Sequence, residues 1–274
     1  MQKDFNYLSS LGCYVGTICL FSQLRVICRN FLSEKKLELK NGVTVTLEEA
    51  IKNLTASNID ENNDWYSWRE INEEDLPNGI GLPQGNQYVK NIALKKALHE
   101  KWKNTIDHEE KKLVIKYYIS TWGGIHGNSS DTIERYSRSG SDELINLGSN
   151  GIASWSKALC VHDPKRYAIF DARVSASLNS LQIIHGTDDK VLFPVLTSRN
   201  KTIKKGIRLI KEEANNAKWK NAAEFYFYRE YLEYLGNSAS ALEENLCASI
   251  YTVEMLLFSK AEELVRQAFP NEEF

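Results

Sequence analysis

The chain has 274 residues, with 34 Lys or Arg against 36 Asp or Glu, 42% hydrophobic residues and only five prolines. This length allows one large domain or two lobes sharing an interface, and the balance is that of a soluble globular protein. The five cysteines form no CxxC pair, so no four-ligand zinc or iron–sulfur site at close spacing is present; free thiols in a reducing cytoplasm are expected.

From Phe5 to Leu24 there is no formal charge, but Asn6, Ser9, Ser10, Thr17, Ser22 and Gln23 break up the apolar run. A buried helix is predicted there, not a signal or a membrane span. An Asn41-Gly42 turn suggests a short hairpin near 36–47. Thr46 then stands three residues before Glu49, the spacing of a capping box that opens a helix. Residues 57–87 read as a long loop holding Trp65 and Trp68; a loop of that length in a compact protein is usually functional or mobile. Residues 88–121 read as helical, with Asp107 as a cap and Leu113, Val114, Tyr117 and Tyr118 on one stripe, stopped by Gly123-Gly124.

Ser129, Ser130 or Asp131 caps the next helix, and Ser141 another. LGSNGI (147–152) is a sharp turn, followed by a helix with Ile152, Trp155 and Leu159 on one face and His162 as a cation near its end. Tyr167–Phe170 is an extended link, and Asp171 opens a helix whose face is Val174, Leu178 and Leu181. A basic helix from Thr202, an aromatic-rich segment at 221–235 whose tyrosines are expected in the core, and a final helix ended by Pro270 complete an all-α chain.

Charge is unevenly spread. Residues 151–211 hold eleven Lys or Arg and four Asp, a balance of +7, so the rest carries −9. A basic middle on an acidic chain fits one anionic partner surface, or a solvated face.

Residues 141–161 therefore predict a helix, a glycine turn and a second helix, a unit that points backbone N–H groups at a phosphate. The segment resembles the helix-hairpin-helix DNA glycosylases, and most closely the bacterial 8-oxoguanine-glycosylase-like family. The likeness rests on Trp122-Gly123-Gly124, Ser156-Lys157, Asp163-Pro164, Ile169-Phe170-Asp171-Ala172-Arg173-Val174 and Glu254-Met255-Leu256-Leu257-Phe258, and it covers about residues 110–260. It implies an all-α, two-lobe fold with an N-terminal lobe (1–105), a lobe carrying the site (106–215) and C-terminal helices (216–274). It also implies a monomer acting on double-stranded DNA with a modified base, an oxidised purine or a hypermodified (for example glucosylated) phage cytosine in antiviral defence, without metal or cofactor.

By this resemblance Asp171 is the catalytic carboxylate, with Lys157 as a second catalytic candidate. Gly148, Ser149, Asn150, Gly151 and Arg173 bind DNA, joined by Lys204 and Lys205 of the basic helix; Phe170 lines the base pocket, and Trp122 and Trp155 either line it or pack as a helix-end and a core tryptophan. In relatives that also cut the strand, a lysine follows the hairpin's second glycine by two positions; here that position is Ala153, with Lys157 one turn further on. Hydrolytic base removal is the expected chemistry, with Lys157 either an amine nucleophile or a phosphate ligand. A fixed carboxylate suits it, because breaking a base–sugar bond builds positive charge on the sugar. The rival expectations are a non-catalytic DNA-binding module that keeps the hairpin, and a protein-interaction scaffold whose basic middle meets an acidic partner.

Overall fold

Side chains placed just ahead of apolar-periodic runs set most of the helix starts. Thr46 closes a capping box with Glu49, and Asn86, Asp107, Ser129, Asp171 and Asn200 each accept a backbone N–H of the first turn that follows; each such cap contributes about 1 kcal/mol. The structure is a computed structural model and describes residues 45–59, 64–224, 226–242 and 249–274. The helix expected at 5–24, most of the hairpin expected at 36–47, and Cys13, Cys19, Cys28 and Cys247 lie outside the described residues.

The described residues contain ten α-helices: α1 (Leu47–Asn58), α2 (Gln87–Asn104), α3 (His108–Lys116), α4 (Ser130–Arg138), α5 (Ser141–Ile145), α6 (Ile152–His162), α7 (Ala172–Ile184), α8 (Lys201–Asn216), α9 (Phe227–Ser240) and α10 (Ile250–Ala268). Two two-residue strands, β1 (Val191–Leu192) and β2 (Lys220–Asn221), pair in parallel. The chain is thus predominantly helical. Val45–Phe274 is a single densely connected unit, and the expected lobe boundaries near 105 and 215 fall inside it. None of the described helices is long and apolar enough to cross a membrane.

One helical expectation is corrected. The run 88–121 is helical with Asp107 as a cap, as expected: Thr105–Asp107 ends α2 and opens α3. Leu113 is 59% exposed. The buried residues of α3 are Val114 and Ile115, with Tyr118 of the following turn, and Leu113 stands about 100° from Val114 around the axis. After α3 the chain widens into a π-helical turn, Tyr117–Trp122, in which the Gly123 N–H reaches back five residues to the Tyr118 carbonyl. Such turns are rare and recur at functional sites.

The core centres on α7 and α10, which pack along their length. Ser175, Ala176, Ser177 and Ser180 on α7 are small and fully buried, which lets the two backbones approach closely. The Ser177 hydroxyl donates to the Leu257 carbonyl at 2.6 Å. The long loop is anchored rather than free-standing: the Ser259 hydroxyl donates to the Trp65 carbonyl, and Trp68 meets Phe258 edge-on at 4.7 Å.

Candidate active site

α5 and α6 are joined by a turn that only glycine makes without strain. Gly148 and Gly151 have φ of 58° and 68°. A methyl on Gly151 would fall 2.7 Å from the Tyr136 hydroxyl. Trp155 Nε1 donates to the Asn150 carbonyl at 3.1 Å and pins the turn from beneath. Among the described residues, the N–H groups of Ser149, Gly151 and Ala153 have no acceptor. They form a cluster of donors at the start of α6, the end that carries partial positive charge.

The link 167–170 is buried and extended, yet among the described residues it pairs with no strand. Its carbonyls and the Phe170 N–H are engaged by side chains. The Tyr167 carbonyl accepts from Cys160 Sγ (3.4 Å), Ala168 from the Tyr228 hydroxyl (2.7 Å) and Ile169 from the Tyr231 hydroxyl (2.8 Å). The Phe170 N–H donates to Ser156 Oγ at 3.1 Å. Four residues held in this way fix where Asp171 emerges. Asp171 Oδ1 accepts the N–H groups of Arg173 and Val174, at 2.9 and 3.1 Å, which caps α7. Its carboxylate is half-buried, at the edge of the core rather than sealed in it.

Facing this carboxylate are groups that rarely enter a core. Lys157 is 4% exposed, and Nζ donates to the Ala153 carbonyl at 2.8 Å. Side chains on a helix lean toward its N-terminus. The amine of Lys157 is therefore delivered back to the turn where the resemblance places its lysine. Burial drives the Lys157 ammonium below the usual lysine range, against the opposing pull of Asp171 and Glu254. The stem of Lys157 lies against Gly123, where a methyl would fall 2.7 Å from Cε and 2.7 Å from the Ile119 carbonyl. The first glycine of Trp-Gly-Gly thus makes room for the lysine.

Behind them, Lys95 of α2 and Glu254 of α10 form an ion pair at 2.6 Å, 2% and 3% exposed. Burial raises the Glu254 carboxyl, and Lys95 partly offsets this. Tyr66 of the long loop feels both Glu254 and Asp171, and burial holds its hydroxyl protonated. Two lysines, two carboxylates and a tyrosine therefore meet where α2, α6, α7, α10 and the loop converge.

The remaining expected residues divide. Trp122 is half-buried, stacked on Tyr118 at 4.4 Å, with Nε1 on Asn91 Oδ1. Trp155 and Phe170, expected to line a base pocket, are core side chains with no exposed surface: Trp155 packs on Tyr228 at 4.8 Å and Phe170 on Phe227 and Tyr231. Arg173 pairs with Glu262 at 2.6 Å and lies over the Phe258 ring at 5.1 Å. Lys205 is engaged by Glu272 at 2.8 Å, whereas Lys204 is exposed on α8 beside Lys201, Arg208 and Lys211. Of the aromatic segment, Phe227, Tyr228 and Tyr231 are core, and Tyr226 is 64% exposed. His162 is no helix-end cation: it is stacked on Trp102 at 4.3 Å, and burial and Lys111 push it down to about 4.

Sequence pattern does not single out Lys95 or Tyr66, and it marks Glu254 only as part of a motif. One signal is legible. Tyr88, Asn91, Lys95 and Leu98 fall at helical spacing on the face of α2 that is buried, and a lysine on an inward stripe needs a buried partner. No family model, no curated protein and no solved structure matches the chain.

Proposed function

We propose that the protein is a DNA glycosylase of two-lobe helix-hairpin-helix type, which removes a modified base from duplex DNA and leaves an abasic site. One observation carries this reading: a half-exposed carboxylate, Asp171, and a buried amine of lowered pKa, Lys157, act on each other beside a turn with unpaired N–H groups. The turn suits a phosphate. The carboxylate suits the positive charge that develops on the sugar as the bond to the base breaks. In the hydrolytic path Asp171 takes a proton from water, whose oxygen bonds to C1′ while the base leaves with the bonding electrons. Asp171 Oδ2 has no hydrogen-bond donor among the described residues and is the oxygen left for this work.

Lys157 supports a second path within the same reading, in which its amine and not water attacks C1′. A desolvated lysine is a better nucleophile because more of it is neutral. The experiment is incubation with duplexes carrying bases from oxidised purines to glucosylated cytosine, scored for abasic sites. Asp171→Asn is expected to lower the rate by about a hundredfold or more while leaving the fold intact, since Asn caps a helix as well as Asp. Borohydride traps the amine adduct if Lys157 attacks; a Lys157→Met variant then gives no trapped product, whereas an untrapped wild type identifies water as the nucleophile.

The sealed positions of Trp155 and Phe170 favour a rival, a non-catalytic DNA-binding module, because two expected pocket walls cannot touch a flipped base. That rival predicts duplex binding with no abasic product from any substrate, and no effect of Asp171→Asn.

A further inference from the structure

The second glycine of Trp-Gly-Gly gathers charge of its own. Gly124 has φ of 67°, and a methyl there would fall 2.6 Å from Arg69 Nη1 and 3.0 Å from Nη2. The guanidinium of Arg69 therefore lies against this one peptide, and its other side stands over the Trp68 ring at 5.2 Å. From the approach to α8, Arg199 Nη2 donates to the Gly124 carbonyl at 2.7 Å. Two arginines far apart in sequence thus meet at a single residue. Arg138, Arg173, Arg208, Arg229 and Arg266 each reach a carboxylate; among the described residues Arg69, Arg135, Arg166 and Arg199 have none, and of these four only Arg69 and Arg199 meet at one residue.

A cap on the end of the π-helical turn accounts for Arg199 alone. Arg69 makes no hydrogen bond to that turn. It is held by a ring and a glycine, and among the described residues its N–H fork has no acceptor. Two unneutralised guanidinium groups at one peptide repel each other, and an anion between them removes the repulsion. Planar forks match the oxygens of a phosphate in pairs. Gly123, whose Cα is about 3.8 Å from that of Gly124, carries the stem of Lys157. An anion at the arginine pair is therefore one residue along the chain from the glycine that carries the stem of Lys157.

We propose that Arg69 and Arg199 form a phosphate-binding pair that grips the DNA phosphodiester flanking the nucleotide presented to Asp171 and Lys157. On this reading Trp65, Tyr66 and Trp68 anchor the long loop so that Arg69 is held in place before DNA arrives. The proposal rests on the DNA-glycosylase reading of the site.

The test is the salt dependence of affinity for a short unmodified DNA duplex, measured by fluorescence anisotropy for wild type, Arg69→Gln, Arg199→Gln and the double variant. Both arginines are exposed, and circular dichroism melts verify that the variants are folded. Each single variant is expected to bind about three- to tenfold more weakly at about 0.1 M salt, and to lower the slope of log affinity against log salt by about 0.9. The double variant lowers it by about twice that. Slopes unchanged from wild type overturn the proposal. So does a wild type that binds inorganic phosphate, lost in the variants, without binding duplex: the pair then serves free phosphate. Abasic sites from wild type with unchanged slopes sink the arginine pair and leave the enzyme reading standing. Reduced slopes with no abasic product from any modified duplex do the reverse.

Discussion

His162 is a residue whose chemistry is altered by its surroundings. It is neutral in the folded protein, held near pKa 4 beside Trp102 and Lys111, against an ordinary value of 6.5. Between these values the unfolded chain binds the proton and the folded chain does not, so stability falls as pH drops through that window. The loss is expected to reach about 3 kcal/mol by pH 4. Urea unfolding between about pH 7 and pH 4 measures it, and His162→Gln is expected to flatten that part of the profile. The histidine was legible in the sequence only as the end of a helix. Its charge state was not, because Trp102 and Lys111 arrive from α2 and α3. Asp171 was more legible, since an N-cap position and a catalytic carboxylate both follow from local pattern. The lean of Lys157 back over Ala153 also follows from helix geometry, but its burial needed the fold.

At the scale of elements, α8 illustrates what a glycine inside a helix can mean. Gly206 sits mid-helix, where alanine is normally better by about 1 kcal/mol. A methyl there would run into Val265 of α10, closer than any real contact. Gly206→Ala is therefore expected to destabilise by about 1–2 kcal/mol net, read from the shift in denaturation midpoint. α8 is held largely by a small separate cluster of Ala176, Ile203, Ile207, Ile210, Ala261 and Val265. The same substitution should accordingly speed amide exchange in α8 more than in α7. Helix positions were largely readable from caps and periodicity: Thr46, Asp107, Ser129 and Asp171 all cap as their spacing implies. The π-helical turn was not, because Leu113 through Tyr118 carry apolar residues on more than one face.

Across the whole molecule, the Lys95–Glu254 pair joins α2 to α10, residues 159 apart in sequence. Lys95→Met alone leaves a buried carboxylate unpaired and is expected to cost about 3–5 kcal/mol. Lys95→Met combined with Glu254→Leu removes both charges and is expected to recover most of that loss. Chemical denaturation of the two single variants and the double gives the coupling directly; equal losses in single and double variants would show that packing matters more than charge. No local pattern foretells such a pair, since each partner is an ordinary helical residue until the other is brought opposite it. The same holds for the arginines at Gly124, which come from a loop and from the approach to α8.

The link 167–170 has a further consequence. No strand among the described residues supports it, and its four residues hang from four different side chains: Cys160, Tyr228, Tyr231 and Ser156. Small edits at those four places, such as Tyr231→Phe, can shift the carboxylate at 171 by fractions of an ångström without altering any group that meets substrate. Variation that tunes turnover in this scaffold can therefore accumulate in residues wholly hidden from solvent, where a survey of the surface would never look for it.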